Sequence, residues 1–363
     1  MRQYNLIDLF CGCGGFSKGF QQAGYNIRLG IDLWKDATVT YKYNFPKAVV
    51  LNEDIVTVDG KRILEITNMH KDEVDVIIGG PPCQGFSVSG KRLIDDERNK
   101  LYKNFVRIVS ELQPKVFVME NVPGLVRLFN GAFGPQVMED FVNIGYQVKM
   151  KILSSDNYGV PQKRVRVIFV GVRNDIAEKV EFEYPTPTTG PGSGNPAITC
   201  EEAISDLDFV PDDIAYPEEI AYELLPLSSY QVKMRDGSST LLNHSITVHT
   251  EKTKSIIAMV PDGGNYKDLP KKLWSTRKVH IAWTRMNSKK PCFTIDTGHN
   301  HQFHYRANRV PTVRESARIQ SFPDSFKFIG IKTSQLKQVG NAVPPLMAEA
   351  IAESVAKVLE RSE

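Results

Sequence analysis

The sequence has no long apolar run. Its longest apolar stretches, at 74–78 and 165–172, are broken by charge or glycine and fall far short of the roughly 20 residues that a membrane helix needs. The opening segment carries Arg2 and Asp8 and no uninterrupted apolar core, so it does not read as an export signal and the cytoplasm is the expected compartment. Cysteine is sparse and odd in number: Cys11, Cys13, Cys83, Cys200 and Cys292. That excludes a disulfide framework, and with no second Cys/His pair near Cys11 and Cys13 no metal is expected; free thiols are. Excess charge is missing too. Lys plus Arg number 45 against 42 Asp plus Glu, a net +3, so a nucleic-acid partner is permitted but its basic footprint must be local. Internal repeats, coiled-coil heptads and a phosphate-cradling GxxxxGK[ST] are also absent.

What is present is an alternation. With 363 residues the chain suits one large domain and a smaller one. Apolar runs at 4–10, 27–32, 49–52, 74–80, 116–122, 148–153 and 165–172 read as strands, several rich in Val and Ile as strands covered on both faces are. Helical patterns fall between them at 17–23, 35–43, 97–112 and 135–144. The expected fold is α/β: a doubly wound, mostly parallel sheet. After Arg173 the pattern changes. The stretch 184–197 (YPTPTTGPGSGNPA) has linker composition, and the region from there to about Arg306 has little periodicity. Order returns at 310–323. The last segment, 344–361, is an amphipathic helix with Met347, Ile351, Val355, Val358 and Leu359 on one face. The expected organisation is 1–180 as the main domain, 181–334 as an irregular inserted domain with its hinge, and 335–363 returning to the main domain.

The first strand runs into Cys11-Gly12-Cys13-Gly14-Gly15-Phe16-Ser17 and then a helix. Glycines there let backbone approach a ligand. The second strand ends in Asp32, where a carboxylate meets ribose hydroxyls, and the third in Asn52-Glu53-Asp54-Ile55. The dinucleotide fingerprint fails, because Ser17 stands where its third glycine belongs. An adenosine-like ligand without pyrophosphate is indicated, which S-adenosylmethionine fits better than NAD or ATP.

The fourth strand ends in Gly79-Gly80-Pro81-Pro82-Cys83-Gln84-Gly85-Phe86-Ser87, a rigid loop that would hold a thiol at the ligand-binding edge of the sheet. The fifth ends in Glu120-Asn121-Val122-Pro123-Gly124, bringing a candidate proton donor to the same edge. Arg164 and Arg166 alternate on an expected strand and so share a face, in a form suited to base oxygens and phosphates.

In order along the chain, DLFCGCGGFS, GGPPCQGFS, ENVPG, QKRVRV, TVRESARIQSFPD and QVGNAVPP resemble the motifs of the bacterial-type cytosine carbon-5 DNA methyltransferases, from residue 8 to residue 345 apart from the middle. The resemblance implies the fold of S-adenosylmethionine-dependent methyltransferases, with the irregular middle serving as target-recognition domain. It implies that Cys83 adds to carbon 6 of a flipped-out cytosine and that Glu120 holds the base edge and protonates ring nitrogen 3. Arg166 would contact the cytosine oxygen and Arg164 support the loop. Phe10, Gly12, Gly14, Gly15, Asp32, Leu33, Asp54 and Ile55, with Pro82, Leu101, Asn341 and Val343, would line the methyl-donor pocket. Asp32 is shorter than the family's usual glutamate, and Leu33 stands where an aromatic is frequent. Gln84, Ser87 and Arg98 would touch DNA, the basic segment 87–100 closing over it. Lys233, Arg235, Arg277, Lys278 and Arg285 are further basic candidates in the middle region, and the TVRESAR block, 312–318, would support that region through Arg-to-Glu pairing. Double-stranded DNA is the expected partner, with a cognate restriction endonuclease as a functional one, no membrane, and a monomeric state. Two other readings stand beside this. Cys292-Phe293-Thr294 resembles a tripeptide of the tRNA-methylating branch of the same fold, and a silent DNA-binding relative would lack Cys83 or Glu120.

Overall fold

The computed structural model describes residues 3–82, 101–127, 131, 133–209, 217, 219–276, 283–295 and 302–362. Two compact units emerge, one of residues 1–154, 165–186 and 347–363, the other of 155–164 and 187–346. The sequence reading begins the C-terminal return at 335, whereas the structure keeps residues up to Leu346 with the second unit.

The first unit is built on seven strands: β1 (Asn5–Leu9), β2 (Asn26–Ile31), β3 (Val49–Leu51), β4 (Val76–Gly79), β5 (Val116–Asn121), β6 (Tyr146–Ser154) and β7 (Val165–Arg173). Their order is β3-β2-β1-β4-β5-β7-β6. The first five run parallel, and β7 is antiparallel to both β5 and β6. Every residue of β4 is buried, as a strand with neighbours on both sides and helices on both faces must be. Helices α1 (Gly15–Gln22), α2 (Lys35–Asn44), α3 (Gly60–Thr67), α4 (Leu101–Leu112) and α5 (Phe133–Val142) separate the strands. α3 is absent from the sequence expectation; its start is fixed by Asp59, whose side chain accepts the Arg62 amide at 2.8 Å. One face of the sheet buries Ile7, Leu9, Ile77 and Phe117 against Ile63, Phe105 and Phe141, with Phe117 and Phe141 stacked at 4.0 Å. The C-terminal helix, Pro345–Ser362, buries Met347, Ile351, Val355, Val358 and Leu359, and Ala352 accepts a hydrogen bond from the Tyr25 hydroxyl at 3.0 Å.

This order places a topological switch beside β1: the chain steps from β1 outward through β2 and β3, then crosses to β4 on the other side. In such sheets the carboxyl ends at the switch open a crevice for ligands. Leu9 is paired with Gly79 and Gly79 with Met119, so the loops after β1 and β4 and the tip of β5 leave the sheet at one level. Among the described residues no helix is long and apolar enough to cross a membrane.

The second unit has less regular structure; beside an apolar cluster of Ile257, Val260, Leu269, Trp283, Phe303 and Val310, it buries a set of charged pairs. Arg309 pairs bidentately with Glu315 at 2.7 and 2.6 Å. Arg318 spans Asp324 at 2.6 Å and Asp206 at 3.0 Å. Arg314 donates to the carbonyls of Leu242, Pro323 and Phe326. Burial pushes the Glu315 carboxyl up, but the Arg309 guanidinium and His304 hold it below the usual carboxylate range. Arg-to-Glu pairing is therefore present, though the partner of Glu315 is Arg309, while Arg314 and Arg318 turn to carbonyls and aspartates. Removing one member of such a pair strands the other charge. Glu315→Gln is expected to lower stability by about 3–5 kcal/mol, read from the chemical unfolding midpoint; a loss under about 1 kcal/mol would show that the pair contributes little.

Candidate active site

The loop after β1 is held open by its own backbone. Phe10 lies in the left-handed region at φ 61°, a costly conformation for an aromatic residue that persists where its neighbours are fixed. They are: the Cys11 amide donates to Ile31 at 2.9 Å and the Gly12 amide to Asp32 Oδ2 at 2.8 Å. Gly14 has φ 100°, and a Cβ there would stand 2.4 Å from the Phe45 ring, so only glycine fits at the start of α1. Gly15 is the first residue of α1 and buried.

The second oxygen of Asp32 accepts the Trp34 amide at 2.8 Å. Burial pushes the Asp32 carboxyl up, against these amide bonds. Asn52 donates to the carbonyls of Asp32 and Leu33 at 3.1 and 2.9 Å, a brace not foreseen from the sequence; the Leu33 side chain is 68% exposed. Asp54 is occupied in capping the turn Ile55–Thr57, accepting the Val56 amide at 3.0 Å. Ile55 is buried in the core, against which Phe10 and Leu101 also pack.

Pro81 is buried and Pro82 half-buried. The Asn121 side-chain amide donates to the Pro81 carbonyl at 3.0 Å, tying the tip of β5 to the loop that leads into Cys83. Asn121 stands inside a motif legible in the sequence, but its partner could not be read there. Glu120 Oε1 meets Arg166 Nε at 2.7 Å, both side chains 13% exposed. The antiparallel register explains the contact: Glu120 is opposite Ile168, which makes Arg166 its diagonal cross-strand neighbour. Glu120 Oε2 stands 3.0 Å from where a Cβ on Gly80 would be, so any larger residue at position 80 would crowd the carboxylate. Cys83, Gln84, Ser87 and Arg98, with the segment 87–100, lie outside the described residues.

Arg164 is set apart from Arg166. The chain leaves strand geometry at 164, between Gln162–Lys163 and β7, so the expected alternation on one continuous strand does not apply. Arg164 is buried in the second unit, where its guanidinium reaches the Asn341 carbonyl at 3.5 Å. Asn341 ends the helix Lys332–Asn341, Val343 is buried, and the Gln320 side-chain amide donates to Ala342 between them at 2.6 Å. Two of the basic candidates turn inward: Arg235 pairs with Asp206 and Arg285 is 4% exposed. Arg277 and Lys278 lie outside the described residues.

Beneath the β1 loop lies a buried polar chain. The Ser17 hydroxyl donates to Asp8 Oδ2 at 2.6 Å and stands 2.7 Å from the Tyr41 hydroxyl. Asp8 Oδ1 is buried with no hydrogen-bond partner among the described residues. One cluster has the composition of a metal site, Asp208, His304 and Glu315. Its lone pairs are spent, however: His304 Nδ1 accepts from the amides of Arg306 and Ala307, which places the proton on Nε2, and Glu315 is engaged by Arg309.

Residues 4–357 match the C-5 cytosine-specific DNA methylase family. The type II methyltransferase M1.HphI of Haemophilus parahaemolyticus is 40% identical over 356 residues, covering 97% of this chain and 86% of its own. M.DdeI of Desulfomicrobium norvegicum is 40% identical over 382 residues, covering 98% and 89%. Among solved structures, one described as a DNA modification methyltransferase encoded within an E. coli prophage aligns with a TM-score of 0.81 at 27% identity, over 99% of this chain and 100% of that one.

The Asp8 carboxyl makes a test of the loop's foundation. Burial pushes it up to about 8 from 3.8, with the Ser17 hydrogen bond opposing and Asp32 adding to the rise. The folded protein thus keeps a proton that the unfolded chain gives up, so this stabilisation is complete below 3.8 and is lost as pH rises through about 8. Asp8→Asn should flatten the fall in melting temperature across that interval; a variant with the wild-type slope would show that Asp8 does not set it.

Proposed function

The chain belongs to the C-5 cytosine-specific DNA methylases and is a DNA (cytosine-5-)-methyltransferase of the restriction-modification type, and on that premise we propose that it methylates a flipped-out cytosine in duplex DNA through a transient Cys83 adduct, with S-adenosylmethionine as methyl donor. The observation that carries this reading is the Glu120–Arg166 pair at 2.7 Å, beside the Pro81-Pro82 loop that Asn121 anchors and that continues directly into Cys83.

The residues present suit the donor. A Cβ on Gly12 would meet nothing within 4 Å, which leaves an open cradle, and the loop lacks the phosphate-binding sequence that a nucleotide triphosphate would require. Phe10, Gly12, Gly14, Gly15, Asp32, Leu33, Asp54, Ile55, Pro82 and Leu101 would hold it, with Asp32 keeping the backbone of the cradle in place. When bound, it supplies the electrophilic methyl group that carbon 5 takes.

Carbon 5 of cytosine is a poor nucleophile until the ring is altered. The Cys83 thiolate adds to carbon 6 while Glu120 gives a proton to ring nitrogen 3, which turns carbon 5 into the nucleophilic end of an enamine. Arg166 binds the cytosine oxygen next to Glu120, so one ion-paired couple recognises the edge of the base. Transfer of the carbon-5 proton to water then expels Cys83 as thiolate, and ring nitrogen 3 returns its proton to Glu120. A base stacked in a duplex is out of reach of this chemistry and must be extruded, at a cost of a few kcal/mol; Gln84, Ser87 and Arg98, in the segment after Cys83, are the residues proposed to meet the DNA there. The protein would act as a monomer on cytoplasmic DNA, with a cognate endonuclease as its functional partner.

Bisulfite mapping of DNA from cells expressing the chain should show methylated cytosine in one sequence context. Glu120→Gln should lower turnover by about 10²–10⁴-fold, and Cys83→Ser should abolish methylation while donor binding persists. Wild-type activity in Cys83→Ser would contradict the mechanism.

A further inference from the structure

Residues 304–309 of the second unit, His-Tyr-Arg-Ala-Asn-Arg, form a turn without regular secondary structure, yet buried polar groups fix it from inside. Arg285 Nη1 donates to the carbonyls of His304, Arg306 and Ala307 at 3.0, 3.3 and 3.1 Å, and Nη2 donates to Asn308 Oδ1 at 3.0 Å. The same guanidinium is rooted in the carbonyls of Val260 and Ile257, both at 2.7 Å. From the other side, His304 Nδ1 accepts the amides of Arg306 and Ala307 at 3.1 and 3.0 Å, while its Nε2 lies 3.2 Å from Asp208 Oδ1. The Tyr305 hydroxyl donates to Asp208 Oδ2 at 2.6 Å.

His304, Tyr305 and Arg309 are all buried by this arrangement, whereas Arg306 is the exception: its side chain is 65% exposed. Its partner among the described residues is Asp208, through Nη2 at 2.7 Å. The carboxylate that accepts the Tyr305 hydroxyl and lies beside His304 therefore also holds one corner of the Arg306 guanidinium, whose side chain is otherwise largely open to solvent. Buried ionic groups of this kind are a poor way to gain stability compared with apolar packing, but an effective way to fix a functional side chain. A contact to DNA phosphate needs only a positive charge; a bidentate contact to a guanine edge gains from a guanidinium whose plane is fixed.

We propose that Arg306 is a specificity residue, pre-positioned by Asp208 and by the Arg285–His304 scaffold to donate to the major-groove edge of a guanine in the recognition sequence. The inference rests on the chain acting on duplex DNA. Arg306 is exposed but is also a counter-charge for the buried Asp208 carboxylate, so Arg306→Ala should melt below the wild type and Arg306→Lys, which keeps the charge, close to it.

The test is bisulfite mapping of genomic DNA from cells expressing wild type, Arg306→Ala or Arg306→Lys. Both variants should methylate sites degenerate at one base pair, with discrimination there falling by about 10–100-fold. An unchanged sequence spectrum in both would overturn the proposal. So would an overall loss in Arg306→Ala that Arg306→Lys restores, since a phosphate contact asks only for charge. A wild-type chain that methylates no cytosine would instead remove the reading on which the proposal depends.

Discussion

The contact between Glu120 and Arg166 depends on one topological fact: β7 is inserted antiparallel between β5 and β6. Had β7 run parallel to β5, as the five preceding strands do to one another, the start of β7 would lie at the opposite edge of the sheet from the tip of β5. Antiparallel insertion brings the beginning of one strand to the end of the other. A carboxyl group and a guanidinium thus meet at the edge where the β1 and β4 loops emerge. The remainder of the first unit serves this placement: buried β4 carries the Pro-Pro loop, and Asn121 fixes that loop to the same tip that bears Glu120.

The two units solve the problem of order by different means. The first excludes water from aliphatic and aromatic side chains on both faces of a sheet, which is non-directional and tolerant. The second adds to its own apolar cluster directional buried pairs: Arg309 with Glu315, Arg318 with Asp324 and Asp206, Arg285 with a ring of carbonyls. Such pairs give less net stability than apolar packing, but they define orientation closely.

The difference also explains what the sequence reveals. Apolar runs bounded by glycine and proline announced the strands, and the observed β1, β4, β5 and β7 fall within a residue or two of the expected positions. Glu120 and Arg166 were nameable because each stands beside such a run. Helix α3 was missed because GKRILEIT begins with glycine and charge, with only the Asp59 cap to mark it. The strand break between Arg164 and β7 leaves no compositional trace. Arg235 and Arg285 looked like surface cations, since a sequence cannot show that carboxylates and carbonyls from distant segments close around a guanidinium. Asn52 and Asn121 were equally silent: their function is to hold backbone carbonyls, and any loop asparagine looks the same until the fold is known.

The account centres on a bond between the sulfur of Cys83 and carbon 6 of cytosine, and that bond can be arrested. A duplex carrying 5-fluorocytosine at the methylated position blocks release, because fluorine cannot leave as the proton does. Incubation with S-adenosylmethionine, followed by denaturation and peptide mapping, should recover DNA covalently attached at Cys83 and no adduct in Cys83→Ser. Recovery of fully methylated, uncoupled product, or attachment at another residue, would contradict the account.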